Sequence, residues 1–316
     1  MDLGLRLAGK TPAISAVLSE ADALDRPLTW DAELTISEVT TLAWVIGAFQ
    51  RGQGMPTETP LMRRISGGAP VCVGPGTIHV ALALRSPSVL FPVDARRLIN
   101  RYVRPLLRAL TKSGASAAYF GRDWISVEHR PAAIVGFAHD GGTGRAVFEA
   151  FVALRTPFSE ARPAFLGKEP GTLESLVGRA FDAAVVAKAI ADAYLALAGG
   201  VARELVPHPV VDTARVDEAL RAEPPWEARV EEVIGPVSAG RDSAGVLRLG
   251  GDFMASRDAV ARLEARLSHS AEPSAEELGV WVNEAFTAPG IAIEGVRDLG
   301  SLKTVLLLAG MRSKDG

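Results

Sequence analysis

The sequence predicts an α+β fold, a mainly antiparallel or mixed sheet flanked by helices, with a second, smaller α+β domain behind it. Three observations carry this reading. Apolar β-branched or aliphatic runs at 40–47, Thr77–Leu84, 124–127 and 132–138 have strand character. Two stripes at helical spacing, Leu98, Tyr102, Leu106 and Leu110, then Val186, Ile190, Ala193 and Leu197, supply helices. Apolar density falls between Pro207 and Pro225, and a separately patterned tail follows. The predicted organisation is a first domain at 1–205, a linker at 206–225 and a small accessory domain at 226–316.

The totals agree with a folded protein. Of 316 residues, 48% are hydrophobic and 22% charged, enough apolar surface for a substantial core. A net charge of -3 with 6% aromatics argues against a general nucleic-acid binder. The single cysteine, Cys72, excludes an intrachain disulfide and a cysteine-rich zinc site. No leader pattern opens the chain and no uncharged segment reaches membrane-spanning length, so a cytoplasmic protein with no membrane partner is expected.

In order, 12–24 reads as a short helix whose Glu20 and Asp22 face solvent. The strand 40–47 stops at Gly47, with Gln50 projecting from its end. Gly74-Pro75-Gly76 suggests a hairpin into the strand Thr77–Leu84, where His79 is read as a hydrogen-bonded core or edge histidine. A helix begins at Asp94, is bent or divided at Pro105, and carries Arg96, Arg97, Arg101, Arg104 and Arg108, read as a solvated basic face, with docking of an acidic domain as the alternative. The runs 124–127 and 132–138 form a hairpin, and 175–198 forms a long helix stopped by Gly199-Gly200. In the tail, a strand leads into Gly250-Gly251-Asp252-Phe253. Two helices follow, the second opened by a Ser274/Glu277 capping box.

The chemistry-bearing stretch is Arg63-Arg64-Ile65-Ser66-Gly67-Gly68-Ala69-Pro70-Val71. Two guanidinium groups beside a backbone with almost no side chains suit an anion. The stretch resembles the Arg-Arg-x-Ser-Gly-Gly-Gly-x-Val signature of the lipoate-protein ligase A family, which shares its fold with biotin ligases and octanoyl transferases. Gly47-Ala48-Phe49-Gln50 resembles that family's Gly-x-x-Gln, Gly121-Arg122-Asp123 its Gly-Arg-x-Asp, and the tail its accessory domain. The resemblance implies activation of lipoate or a related acyl group with ATP and Mg²⁺, then transfer to a lysine of a lipoyl or similar carrier domain. It implies that Arg63 and Arg64 neutralise carboxylate or phosphate, and that Ser66, Gly67, Gly68 and Ala69 form a loop against which ligand lies. Gln50 is then expected beside the ligand, and Arg122 with Asp123 on the nucleotide side.

The chain also departs from the family. Aligning Ile134-x-Gly136 on the family's Lys-Ile-x-Gly places Ala133 where the catalytic lysine is expected, and a methyl group cannot stabilise developing negative charge. Arg130 sits at an odd offset on the strand. Val73-Gly74 stands where the family has His-Asp, His139 where glutamine is common, and Phe148-Glu149-Ala150 in place of a His-Gly-Thr run. No cysteine follows position 72, which excludes a thioester transferase, and the biotin-ligase glycine loop is absent. Two functional readings follow, a ligase-like acyl-handling protein and a catalytically disabled relative that binds a lipoyl-like ligand or a lipoyl domain. A third is an interaction surface with its pocket filled by Val73, Ala133 and Phe137. Under the first, Ala133→Lys is expected to raise activity.

Overall fold

The computed structural model describes residues 1–160, 165–206, 216–270 and 273–312. Its centre is a mixed eight-stranded sheet in the order Ala202–Glu204, Leu3–Thr11, Ala32–Val39, Thr77–Leu84, Ala146–Ala153, Arg130–His139, Trp124–Val127 and Ala117–Tyr119. The first three strands run parallel and the remaining neighbours antiparallel. The central strands Thr77–Leu84 and Ala146–Ala153 are buried throughout, which explains their continuous apolar character.

Helices Leu98–Lys112 and Ala183–Leu195 cover one face. Leu98, Tyr102, Leu106 and Leu110 have no exposed surface, and each apolar side chain so buried contributes roughly 1.5–3 kcal/mol. Pro105 is accommodated inside the first of these helices without dividing it. A second sheet, in the order Ser159–Glu160, Val71–Val73, Ala43–Ile46 and Leu61–Arg63, packs Val45, Met62, Val71 and Val73 on the other face.

Residues 228–312 form a three-stranded sheet, Ala228–Glu231, Pro236–Arg241 and Leu247–Gly251, packed on helices Arg257–His269, Ala275–Thr287 and Gly300–Arg312. The Ser274/Glu277 capping box is formed in both directions. Among the described residues no helix is long and apolar enough to cross a membrane.

Several local expectations are corrected. The first helix spans only Ala13–Val17, and Glu20 is buried rather than in solvent, accepting from Thr35 Oγ1 at 3.0 Å and Arg26 Nη2 at 2.7 Å. Gly74-Pro75-Gly76 makes no hairpin; it carries the chain from the small sheet to the large one. The long helix is two, Leu173–Val177 and Ala183–Leu195, because Gly178 takes a left-handed C-cap. The hairpin between Trp124–Val127 and Arg130–His139 is present, turning through Glu128 and His129, both at positive φ. Of the expected linker, 207–215 lies outside the described residues, while helix Asp217–Arg221 buries Leu220 against Trp44, Ile46, Leu61 and Cys72.

Candidate functional site

Parallel strands Ala43–Ile46 and Leu61–Arg63 set the site, because they end side by side and release two loops, 47–50 and 64–70. Arg64 N–H donates to Ile46 O at 3.0 Å, and Ala48 N–H to Ser66 O at 2.9 Å, tying the loops together. Gln50 Oε1 accepts from Gly47 N–H at 2.7 Å, and its amide donates to Asp252.

The two arginines part company. Adjacent residues at a strand end point to opposite sides. Arg63 is half-buried, with Nη2 donating to Glu223 at 2.6 and 2.7 Å and to Gln50 O at 2.6 Å. Arg64 is 1% exposed and donates to the carbonyls of Gly67 at 2.9 Å and Ala69 at 3.2 Å, so it shapes the glycine loop from inside. Burial pushes its guanidinium below the ordinary range, opposed by the nearby charges of Glu149, Asp123 and Asp252.

Beneath the loop lies a buried polar network. Ser66 donates to Glu149, whose other oxygen meets His79 Nε2 at 2.9 Å. Burial would push Glu149 up, but its contact with His79, the Arg64 charge and the Ser66 hydroxyl hold it below its ordinary value. His79 is therefore the hydrogen-bonded core histidine expected. Glu149 was missed as a partner; a lone acid in an otherwise apolar buried strand was the available signal.

The accessory segment 250–254 covers the glycine loop. Gly67 N–H donates to Phe137 O at 3.2 Å and Gly68 N–H to Phe253 O at 3.3 Å. A Cβ on Gly67 would meet Phe253 O at 2.5 Å and Met254 Cα at 2.8 Å, so glycine is needed here for protein backbone to approach. Phe253 stacks on Phe49 with centroids 5.0 Å apart, and Gly251 N–H donates to Phe49 O at 2.8 Å. In this arrangement the loop offers neither amide to a phosphate.

Arg122 and Asp123 sit at the same junction. Arg122 Nη1 donates to Val233 O at 2.9 Å. Asp123 is buried, and burial followed by the charge of Asp252 pushes its pKa up to about 7, against Arg64 and Arg122. A pKa raised above the ordinary 3.8 contributes stability that is complete below about pH 4 and is lost as pH rises through 7. At about 1.4 kcal/mol per unit, the loss is a few kcal/mol. Asp123→Asn should therefore melt several degrees above the unsubstituted protein at pH 8, keep roughly a third of that advantage at pH 5 and lose it below about pH 4, in melting curves across this range. A pH-independent difference would rule out titration of Asp123 as the cause.

Ala133 and Gly136 occupy opposite faces of the strand Arg130–His139. The Cβ direction of Gly136 meets Ser66 Oγ at 2.7 Å, whereas Ala133 pairs across strands with Ile125 and Val152 in the helix-covered core. Position 133 thus lies on the face of the strand opposite to the one that meets Ser66. Arg130 gives no substitute, since it is bound at the surface to Glu169.

Two cavities adjoin at Arg63 and Arg257. One, of about 330 Å³, is largely apolar, with Leu24, Ile65, Phe137 and Ala138 in its wall. The other, of about 520 Å³, has charged side chains in its wall, Glu223, Arg248 and Glu264 among them. Arg257, from the accessory domain and missed by sequence reading, is held by Asp25 at 2.7 Å and Asp140 at 3.0 Å. The Nε of Arg63 is buried and has no hydrogen-bond partner among the described residues.

No protein-family model and no curated protein matches the chain. Among solved structures, P. falciparum LipL1 in complex with lipoate superposes over 97% of this chain and 99% of its own, with 10% identity and a TM-score of 0.62. The bipartite lipoate protein ligase from Thermoplasma acidophilum covers 65% of this chain and 87% of its own, with 15% identity and a TM-score of 0.47.

The chain has the lipoate-ligase-like fold.

The LipL1 superposition extends over nearly the whole of both chains. Gly250-Gly251-Asp252-Phe253 joins the 228–312 segment to the glycine loop and to Phe49. No sequence spacing revealed that this motif meets the Arg63–Ala69 loop, because the contact spans almost 190 residues.

Proposed function

We propose that the protein holds a lipoyl-like, medium-length acyl carboxylate, with the acyl chain in the 330 Å³ cavity and the carboxylate at Arg63 and Arg257. The observation that carries this reading is the unpartnered, buried Nε of Arg63 beside an apolar cavity. A buried donor without a partner costs about 1–3 kcal/mol, which a ligand oxygen would recover. The volume lies at the small end of ligand sites, about 300–1,000 Å³, and suits a short acyl chain better than a long lipid. The likeness in fold to LipL1, whose structure contains lipoate, supports the ligand class.

Activation with ATP and Mg²⁺ and transfer to a carrier-domain lysine is the catalytic extension of this reading, supported by the two-part extent of the fold. Binding without turnover is favoured by the engaged amides of Gly67 and Gly68 and by the outward turn of position 133 from the loop. Nucleotide binding at the loop would require the 252–254 segment to give up the Gly68 hydrogen bond.

Incubation with lipoate, ATP, Mg²⁺ and an apo lipoyl domain, followed by carrier mass and pyrophosphate release, distinguishes the two. A mass shift establishes transfer, and calorimetric binding without a shift establishes the holding role. Arg63→Gln should weaken lipoate binding about tenfold or more at a temperature where melting curves show the variant folded, since a charge-assisted hydrogen bond contributes about 1.5–3 kcal/mol. Unaltered affinity in that variant would exclude Arg63 as the carboxylate partner.

A further inference from the structure

Helix Leu98–Lys112 and the turn before it carry a cationic stripe. Arg97, Arg101, Arg104, Arg108 and Lys112 follow at intervals of four, three, four and four residues, which places them along one side of the helix. Arg97, Arg104, Arg108 and Lys112 are exposed and Arg101 is half-buried. Among the described residues, none of the five makes an ion pair or side-chain hydrogen bond. Arg96, off this side, instead donates to Ile291 O at 3.0 Å.

The stripe is unfavourable for the helix itself. The helix's own first turn has no acidic residue, so Arg97 and Arg101 meet the positive end of the helix dipole with only Asp94, at the cap of the preceding turn, to offset them. Like charges three and four residues apart also repel. The packing energy of Leu98, Tyr102, Leu106 and Leu110 holds the helix regardless, leaving the outer side available for a partner.

We propose that this stripe docks an acidic face of a partner protein. Its length, about 22 Å for fifteen residues at 1.5 Å rise, matches a compact protein face. Arginine forks pair bidentately with carboxylates, which suits four of the five positions. An extended nucleic acid would run beyond the stripe onto a molecule whose total charge is -3 despite these cations. A membrane surface would gain no insertion, because the helix's apolar side is already buried in the sheet. The stripe lies on the helix-covered side of the main sheet, while Leu24, Ile65 and Ala138 wall their cavity against the other side. A protein bound there leaves the cavity open, and the inference stands independently of what that cavity holds.

The test uses the full chain and a fluorescent poly-glutamate peptide long enough to span the stripe, read by anisotropy. Binding at low ionic strength should weaken more than about tenfold in Arg97→Glu/Arg104→Glu/Arg108→Glu and by an intermediate amount in the corresponding glutamine variant. It should vanish near 0.5 M salt, where screening acts within roughly 5 Å. Melting curves establish that both variants are folded. Equal affinity in wild type and the charge-reversed variant, or no binding at low salt, overturns the proposal. So does tighter binding of a duplex DNA or of phosphatidylserine vesicles through the same arginines at matched salt.

Discussion

Arg64→Ala is expected to lower the unfolding free energy by about 3–5 kcal/mol, the cost of breaking a buried charge arrangement by removing one partner. Arg64 is 1% exposed and supplies the hydrogen bonds that satisfy the carbonyls of Gly67 and Ala69. Its charge also faces Glu149, which lies fully buried beneath the loop. Alanine would leave both carbonyls without donors and Glu149 with only His79 and Ser66. Urea unfolding followed by tryptophan fluorescence measures the change. A loss below about 1 kcal/mol would mean that water replaces the guanidinium, and that the loop does not depend on it.

Ala133→Lys is expected to destabilise the protein by a comparable amount, about 3–5 kcal/mol, rather than to create an acyl-transfer site. The new amine would enter the apolar core beside Ile125 and Val152. The same urea titration, paired with the carrier mass assay, separates the outcomes. A variant of undiminished stability that gains transfer would show that position 133 reaches the glycine loop, and that the strand register described above is wrong.

These two residues show how much of the site was legible. The strands Thr77–Leu84 and Arg130–His139, the helix from Leu98 and the capping box at Ser274 could be read because local periodicity and turn chemistry determine them. The Arg63-Arg64 pair was recognisable as a feature, but its division of labour was not. Alternation along a strand end sends one guanidinium outward and the other inward, and only the neighbouring layers decide which. Likewise, a glycine pair signals close backbone approach without saying whose backbone approaches. Here it is Phe253 and Met254, far along the chain. Arg257 and Glu223 escaped notice because their roles come from long-range pairing and no local motif marks them.

The reciprocal seating of Gly67-Gly68 against Gly250–Phe253 has a bearing on dissection of the protein. Cleavage at position 225 would uncover Phe49, strip the acceptor from Gly68 N–H and strip Gln50 of its carboxylate partner, all in one stroke. The halves are therefore thermodynamically interdependent modules: a truncated N-terminal fragment inherits a sticky wound, and the chain should melt in a single cooperative step.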